Sequence, residues 1–463
     1  MPIERLNELN DVSGMGCIVG TERFDGMLSR STNVTGNESA LSDEDATSIP
    51  QDGTARIQQH LRSRSRPTRK GILIYSEDAF LGEGQSGTGL SKALVPMIAS
   101  LTDAINAIIV NQTHDYHSAH NFRMFGDVPC HATSRLHHVL AKLTEKLPFA
   151  MARRLAACHG FLLGLWARIG IRSRALLCNR IWSAVGIDAL SLVRLAKFAR
   201  VANLPFEVYL VDDVEEHPHN ARWRVQLRPC LSELLRGASR VYAITPALSE
   251  TIAHRYSVGC HVLPLTANQR IVVQDRGCIW TYLATYLGSV NHLYADGLKI
   301  LIAETERLRR TFNLDLRLRI IAPVAQVCEV LGGGLPTWIV AGRADKDEDM
   351  HRDLRESLTT FLPYSFDSAA RSMTTTSFPS KFLDYLAHAR AIVVYAPEWS
   401  VPAKCLQTER LPFVANSPED LSLLLESLIR NPADYSASYR GVLERLHSPE
   451  AARSTILGSD ASN

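Results

Sequence analysis

The sequence predicts an α/β protein of two Rossmann-like halves facing a cleft, and three observations carry that prediction. The chain has 463 residues, more than one hydrophobic core usually serves. Short apolar, β-branched runs alternate with helical stretches in strand, helix, strand order, the signature of a parallel sheet. The series ends at the proline-containing "HVLPLTAN" and restarts at "GCIWTYLATYLGSV", so two sheets are expected rather than one. The expected boundaries are a disordered tail over 1–69, an amino-terminal half over 70–272, a carboxyl-terminal half over 273–445 and a flexible end over 446–463.

The tail is rich in Ser, Thr, Asn, Asp and Gly and shows no sustained period, so it lacks the apolar pattern of a packed core. Its last stretch, Arg56 to Lys70, holds six bases and no acid, and a solvated linker is the reading preferred over a lipid contact. Order begins at "KGILIYSED", followed by helical "GLSKALVPMIASL" and the run "AINAIIVN". A long basic helical region comes next, then "PFEVYLVDD", helical "LRPCLSELLRGA" and "RVYAITP". The second half supplies "LRLRIIAP", "TWIVAG", "TTFLPYS" and "RAIVVYAP", with helices between them and "SPEDLSLLLESLIR" near the end.

Composition narrows the classes. Apolar residues make up 46% and charged residues 21%, and 50 basic against 48 acidic residues leave +2, which argues against a dedicated nucleic-acid binder. Nine cysteines are scattered without a CxxC pair and read as reduced thiols of a cytosolic protein rather than disulfides or a zinc site. Glu4, Arg5, Glu8 and Asp11 interrupt the first apolar residues, so no secretory signal is expected there. The longest uncharged apolar stretch, Leu155 to Ala167, is 13 residues, short of the roughly 18 that suggest a membrane span.

Several motifs could carry chemistry. "LGEGQSGTG" contains G-x-G-x-x-G at Gly82, Gly84 and Gly87. "SEDAF" separates it from the strand, and no acid ends a strand about 20 residues on, so a dinucleotide fold is not expected. Gly84 and Gly87 either face a phosphate or simply make the turn. "HDYHSAH" spaces His114, His117 and His120 three apart, which reads as a polar loop before it reads as a metal site, with His114 where a βα loop meets the cleft. "VDDVEEH" ends a strand with Asp212 and Asp213, and such carboxylates bind a hydroxyl, act as a base or cap the loop. Residues 151–200 carry nine bases and one acid, Asp188, interleaved with Phe161, Leu162, Leu165, Trp166 and Trp182. Both a surface lying on an anionic bilayer and a helix with solvated arginines fit that pattern.

"FPSKFLDYLAHARAIVV" is the most informative stretch. It places Lys381 at the start of a short helix after a proline turn, where a mobile point charge and the helix amino end suit a diphosphate. Asp384, one turn on and on the same face, can accept hydrogen bonds from the two hydroxyls of a ribose. Together they describe a nucleotide site.

With these pieces in order, "GILIYSED", "EVYLVDD", "SRVYAITPALSETIAHRY", "LGSVNHLYADGLKIL", "LPYSFD" and "FPSKFLDYLA", the sequence resembles the GT-B glycosyltransferases, and among them the bacterial enzymes of surface-polysaccharide biosynthesis. The likeness covers roughly residues 70 to 430. It implies an acceptor domain followed by a donor domain. In that family the Pro-Ser-Lys-x-x-acid unit contacts the donor nucleotide, which assigns Ser380, Lys381 and Asp384 to donor binding. Gly288, Ser289 and Asn291 match the family's glycine turn, Ser365 lies in the matching "LPYSFD" loop, and Gly84 and Gly87 lie in the glycine loop. The sequence departs from the family at Thr376, where many retaining members carry a glutamate, and at Ala389, where a glycine is usual. No clear basic pair follows Gly288, so Arg343 and Lys346 stand as replacements.

The expectation is therefore a cytoplasmic, membrane-peripheral hexosyltransferase at the inner face of the plasma membrane. It would move a sugar from a nucleotide-diphosphate donor to a saccharide or lipid-linked acceptor, with no separate cofactor, no metal and no nucleic-acid partner. Lys381 and helix amino ends would stabilise the leaving diphosphate, residues 151–200 would touch the membrane, and Asp213 or His114 would serve as base. The alternatives are a nucleotide-sugar epimerase and a non-catalytic scaffold, the latter favoured by Thr376 and Ala389.

Overall fold

The protein is seen in a computed structural model that describes residues 71–76, 89–110, 124–125, 128–132, 139, 143–144, 146–170, 178–186, 188–267 and 280–458. The expected tail, the glycine loop with Gly84 and Gly87, and His114 lie outside these residues. The described residues belong to one compact unit holding two sheets.

The first sheet contains β1 (Gly71–Ser76), β2 (Ile105–Val110), β3 (Met124–Phe125), β4 (Val128–Ala132), β5 (Cys178–Val185), β6 (Phe206–Leu210), β7 (Arg240–Ala243) and β8 (Cys260–Val262). Their order is β3-β4-β2-β1-β5-β6-β7-β8, parallel except for the β3/β4 pair. The second sheet contains β9 (Tyr282–Leu287), β10 (Leu318–Ile321), β11 (Ile339–Ala341), β12 (Ser357–Pro363), β13 (Ile392–Tyr395) and β14 (Val414–Ala415). It is ordered β11-β10-β9-β12-β13-β14 and parallel throughout. Every residue of β1 and of β13 is buried, as expected of strands with helices on both faces. Among the parallel strands of each sheet the order reverses once, between β1 and β5 and between β9 and β12. The loops leaving the strands diverge there and open a crevice at their carboxyl ends.

The expected long basic helical region is instead a helix, a strand and a second helix: Phe149–Gly170, β5 and Ala189–Ala202. The strand is central, paired with β1 on one side and β6 on the other. Its Arg180 is tolerated because Glu207 of β6 stands 3.4 Å away and its guanidinium donates to the Ile456 carbonyl at 2.9 Å. Asp188, the single acid of the segment, caps the second helix by accepting from Leu190 N and pairs with the buried Arg194 at 2.5 Å.

The carboxyl-terminal stretch departs from the expected flexible end. Helix Ser436–Leu446 packs on helix Lys381–His388, and helix Pro449–Leu457 packs on helix Gly89–Ser100 of the first half. Ser448 caps the last helix by accepting from Glu450 N and Ala451 N, and Ile456 is fully buried. Ser100 Oγ donates to the Pro449 carbonyl at 3.2 Å, and Arg453 pairs with Asp103 at 2.5 Å. The return crossing is fixed at His447, whose Nδ1 meets the Leu265 carbonyl at 2.7 Å while its own carbonyl accepts from Ala267 N at 3.0 Å. Among the described residues no helix is long and apolar enough to cross a membrane.

Candidate functional site

The strand ends of the second sheet determine where side chains converge. β9 ends at Leu287, and the chain turns at Gly288 with φ +110, a conformation open to glycine. A Cβ at Gly288 would stand 3.2 Å from Lys381 Nζ, so the missing side chain is also what lets the lysine approach. Asn291 then starts helix Ala295–Phe312 by accepting from Leu293 N through its side chain at 3.0 Å and from Tyr294 N through its carbonyl at 2.9 Å. On the neighbouring β12 side, helix Lys381–His388 begins after "FPS". Tyr385 locks it to β9: its hydroxyl accepts from Leu287 N at 2.8 Å and donates to the Phe361 carbonyl at 3.3 Å.

These constraints put Lys381 into an aromatic box. Its ammonium lies 3.6 Å from the Tyr294 ring centroid and 4.5 Å from that of Tyr286 and donates to Tyr286 Oη at 3.1 Å. Tyr286 in turn donates to the Ser289 carbonyl at 2.6 Å, and Tyr364 stacks on Tyr294 at 5.7 Å. The rings favour the cation through their faces, yet burial still pushes the ammonium down to about 7. No carboxylate among the described residues offsets that burial.

A cleft of about 500 Å³ opens over this box, lined from the second half by Gly288, Ser289, Asn291, Ser380, Lys381 and Asp384. From the first half it is lined by Val211, Asp212, Ile244 and Leu265. Asp212 is the acidic group of that wall. Its Oδ1 accepts from Ser377 Oγ, which belongs to the other half, at 2.6 Å. Burial pushes its carboxyl up to about 6, with the Asp213 charge adding to the rise and the Ser377 bond opposing it. Burial raises the phenols of Tyr294 and Tyr364, and the Asp212 charge adds to the rise. A second bond joins the halves beside it, from Thr245 Oγ1 to the Thr376 carbonyl at 2.7 Å.

No family model and no curated protein matches the sequence. Solved structures do match in fold. TarM superposes with a TM-score of 0.59 at 8% identity over 84% of this chain and 98% of its own. The apo structure of OtsA gives 0.56 at 12% over 85% and 99%. Anabaena HepE in complex with UDP gives 0.50 at 13% over 85% and 100%. These are GT-B proteins. The chain has the GT-B fold. At such identities the likeness is one of fold.

In this GT-B protein Ser380, Lys381, Asp384, Gly288, Ser289 and Asn291 all line one cleft, although they come from two loops far apart in sequence. Ser365 does not join them: it is buried, and its hydroxyl accepts from Asp367 N at 3.1 Å, shaping its own loop. Arg343 and Lys346 are exposed and lie outside the cleft lining. The expectation of Asp213 as base is corrected, because its side chain points away from the cleft into an ion pair with Arg255 at 2.8 Å and is 1% exposed. Asp212 takes the cleft position. Thr376, which stands where many retaining members of the resembled family carry a glutamate, donates to the Ser372 carbonyl at 2.8 Å. The tyrosine box was not anticipated, since its members at 286, 294 and 364 share no local motif.

Proposed function

We propose that the protein is a glycosyltransferase that moves a sugar from a nucleoside-diphosphate donor to a hydroxyl of a saccharide or lipid-linked acceptor, in the class of reactions that builds surface polysaccharide. The observation that carries this reading is Lys381: a half-buried ammonium in a tyrosine box without a carboxylate, aimed into a cleft at the switch point of the second sheet. A diphosphate is the anion that such a site lacks. The likeness in fold to HepE, whose structure holds UDP, supports the same reading.

Asp212 replaces Asp213 as the base. It faces the cleft from the half opposite Lys381, and its raised pKa suits proton transfer near neutral pH. In the displacement the acceptor oxygen bonds to the anomeric carbon as its proton passes to Asp212, and the bond from that carbon to the diphosphate oxygen breaks. The nucleoside diphosphate leaves with the electron pair, against Lys381 and the amino end of its helix. Direct displacement inverts the anomeric centre.

Thermal stabilisation by UDP, GDP and their sugar conjugates tests the donor site, and Lys381→Ala is expected to remove the shift. Asp212→Asn is expected to keep the shift and to lose transfer by about a hundredfold or more. No shift with any nucleotide would overturn the donor site and leave a non-catalytic scaffold. An epimerised sugar released without acceptor would overturn transfer in favour of epimerisation.

A further inference from the structure

Helix Phe149–Gly170 carries apolar residues on both faces: Phe149 and Leu163 are buried together with a row of small residues, while other large apolar side chains point outward. Ala152, Ala156, Gly160, Gly164 and Ala167 face the protein. A Cβ at Gly160 would stand 2.3 Å from the Arg194 carbonyl, and one at Gly164 would stand 2.5 Å from Val201. Helix Ala189–Ala202 therefore approaches its backbone directly and fixes which face turns outward. On that outer face Met151 is 56% exposed, Phe161 40%, and Leu162 and Leu165 37% each, spaced as neighbours on one helical stripe.

Among the described residues, the charges that the helix itself carries have one sign. The helix contains no Asp or Glu, and Arg154 and Arg168 are exposed on the same side. Lys197 stands 5.7 Å above the Phe161 ring. The nearby Asp188 is held by Arg194, and Glu233 pairs with Arg153. A second copy of the chain would set two such basic faces against each other, which costs free energy. An anionic lipid surface instead matches both the apolar stripe and its basic flanks.

We infer that the outer face of helix Phe149–Gly170 docks onto an anionic bilayer surface, lying in the interface rather than spanning it. The helix runs in the same direction as helix Ala189–Ala202, with Gly160 against Arg194 and Gly164 against Val201. Its first turn packs Phe149 on Trp223, which follows the carboxyl end of β6, at 5.9 Å, so Met151 lies toward the edge where the strands end. Docking there sets the cleft beside the membrane plane, where the head of a lipid-linked acceptor would sit. The docking surface is independent of the donor site, and its failure would leave the nucleotide reading standing.

The test is co-sedimentation of the full-length protein with vesicles of phosphatidylcholine alone and of phosphatidylcholine mixed with phosphatidylglycerol, at low and high salt. Wild type is expected to bind the anionic vesicles, less at high salt, and to bind the neutral ones weakly. Phe161→Ser combined with Leu165→Ser is expected to weaken binding by about tenfold or more, with the thermal midpoint and nucleotide shift unchanged. Arg154→Ala combined with Arg168→Ala should weaken binding to the anionic vesicles alone. Wild type that binds neither vesicle, or binding untouched by both double variants, overturns the inference. So does a concentration-dependent dimer in sedimentation equilibrium that the Phe161 and Leu165 changes abolish.

Discussion

Binding of a nucleoside diphosphate should drive a proton onto Lys381. Burial without a carboxylate partner lowers its ammonium from 10.5 to about 7. One pH unit above that value, only about a tenth of the free protein carries the charge. A diphosphate oxygen at hydrogen-bond distance supplies the missing counter-charge and returns the pKa toward its ordinary value. Near pH 8 about 0.9 proton is then taken up per nucleotide bound, and the logarithm of the association constant falls by about the same amount per pH unit. Isothermal titration calorimetry with UDP or GDP in buffers of different ionisation enthalpy measures that uptake as a slope. In Lys381→Ala the slope should fall to near zero. The dissociation constant should rise roughly 10- to 150-fold, the equivalent of about 1.5–3 kcal/mol for hydrogen bonds to a charged group. A wild-type slope near zero with binding intact would refute the reasoning, because the diphosphate would then not be what charges this lysine. The free protein carries a related signature. Between about 7 and 10.5 the unfolded chain binds more protons at this lysine than the folded one does, so this group makes stability rise with pH across that window.

Two further variants test the geometry. Gly288→Ala would force a left-handed φ of +110 and a Cβ 3.2 Å from Lys381 Nζ. It should cost about 1–3 kcal/mol in urea unfolding and weaken UDP or GDP in the same calorimetry. Arg255→Ala would leave the Asp213 carboxylate, 1% exposed, without its cation. A loss of about 3–5 kcal/mol is expected from urea unfolding, and a loss below about 1 kcal/mol would show that Asp213 is not held by this pair.

Much of the architecture was legible because its strands are short, apolar and β-branched. "GILIYS", "FEVYL", "LTTFLP" and "IVVY" sit where their patterns place them. β5 was not legible. Arg180 and Asn179 break its apolar run inside a basic segment, and what makes the arginine acceptable is Glu207 on the neighbouring strand, a partner that no local window contains. β4 was hidden by its brevity and by Pro129. At the site, the lysine after a proline turn could be read because a helix amino end and a cation make one local motif. The adjacent pair Asp212 and Asp213 showed a carboxylate at the strand end without showing which one faces inward. Arg255, more than forty positions away in sequence, settles it by pairing with Asp213 at 2.8 Å. The three tyrosines meet only through the sheet.

The return of the chain at His447 determines how the cleft can open. The backbone passes between the halves twice, and the two passages are stitched side by side at Leu265, Ala267 and His447. Two strands of chain fastened together act as the spine of a book, so swivelling of one half on the other is disfavoured relative to swinging about that line. The bonds between Asp212 and Ser377 and between Thr245 and Thr376 then act as a clasp. The covers part only when Asp212 lets go of Ser377, so the carboxylate proposed to meet the acceptor hydroxyl is also the one that fastens the covers.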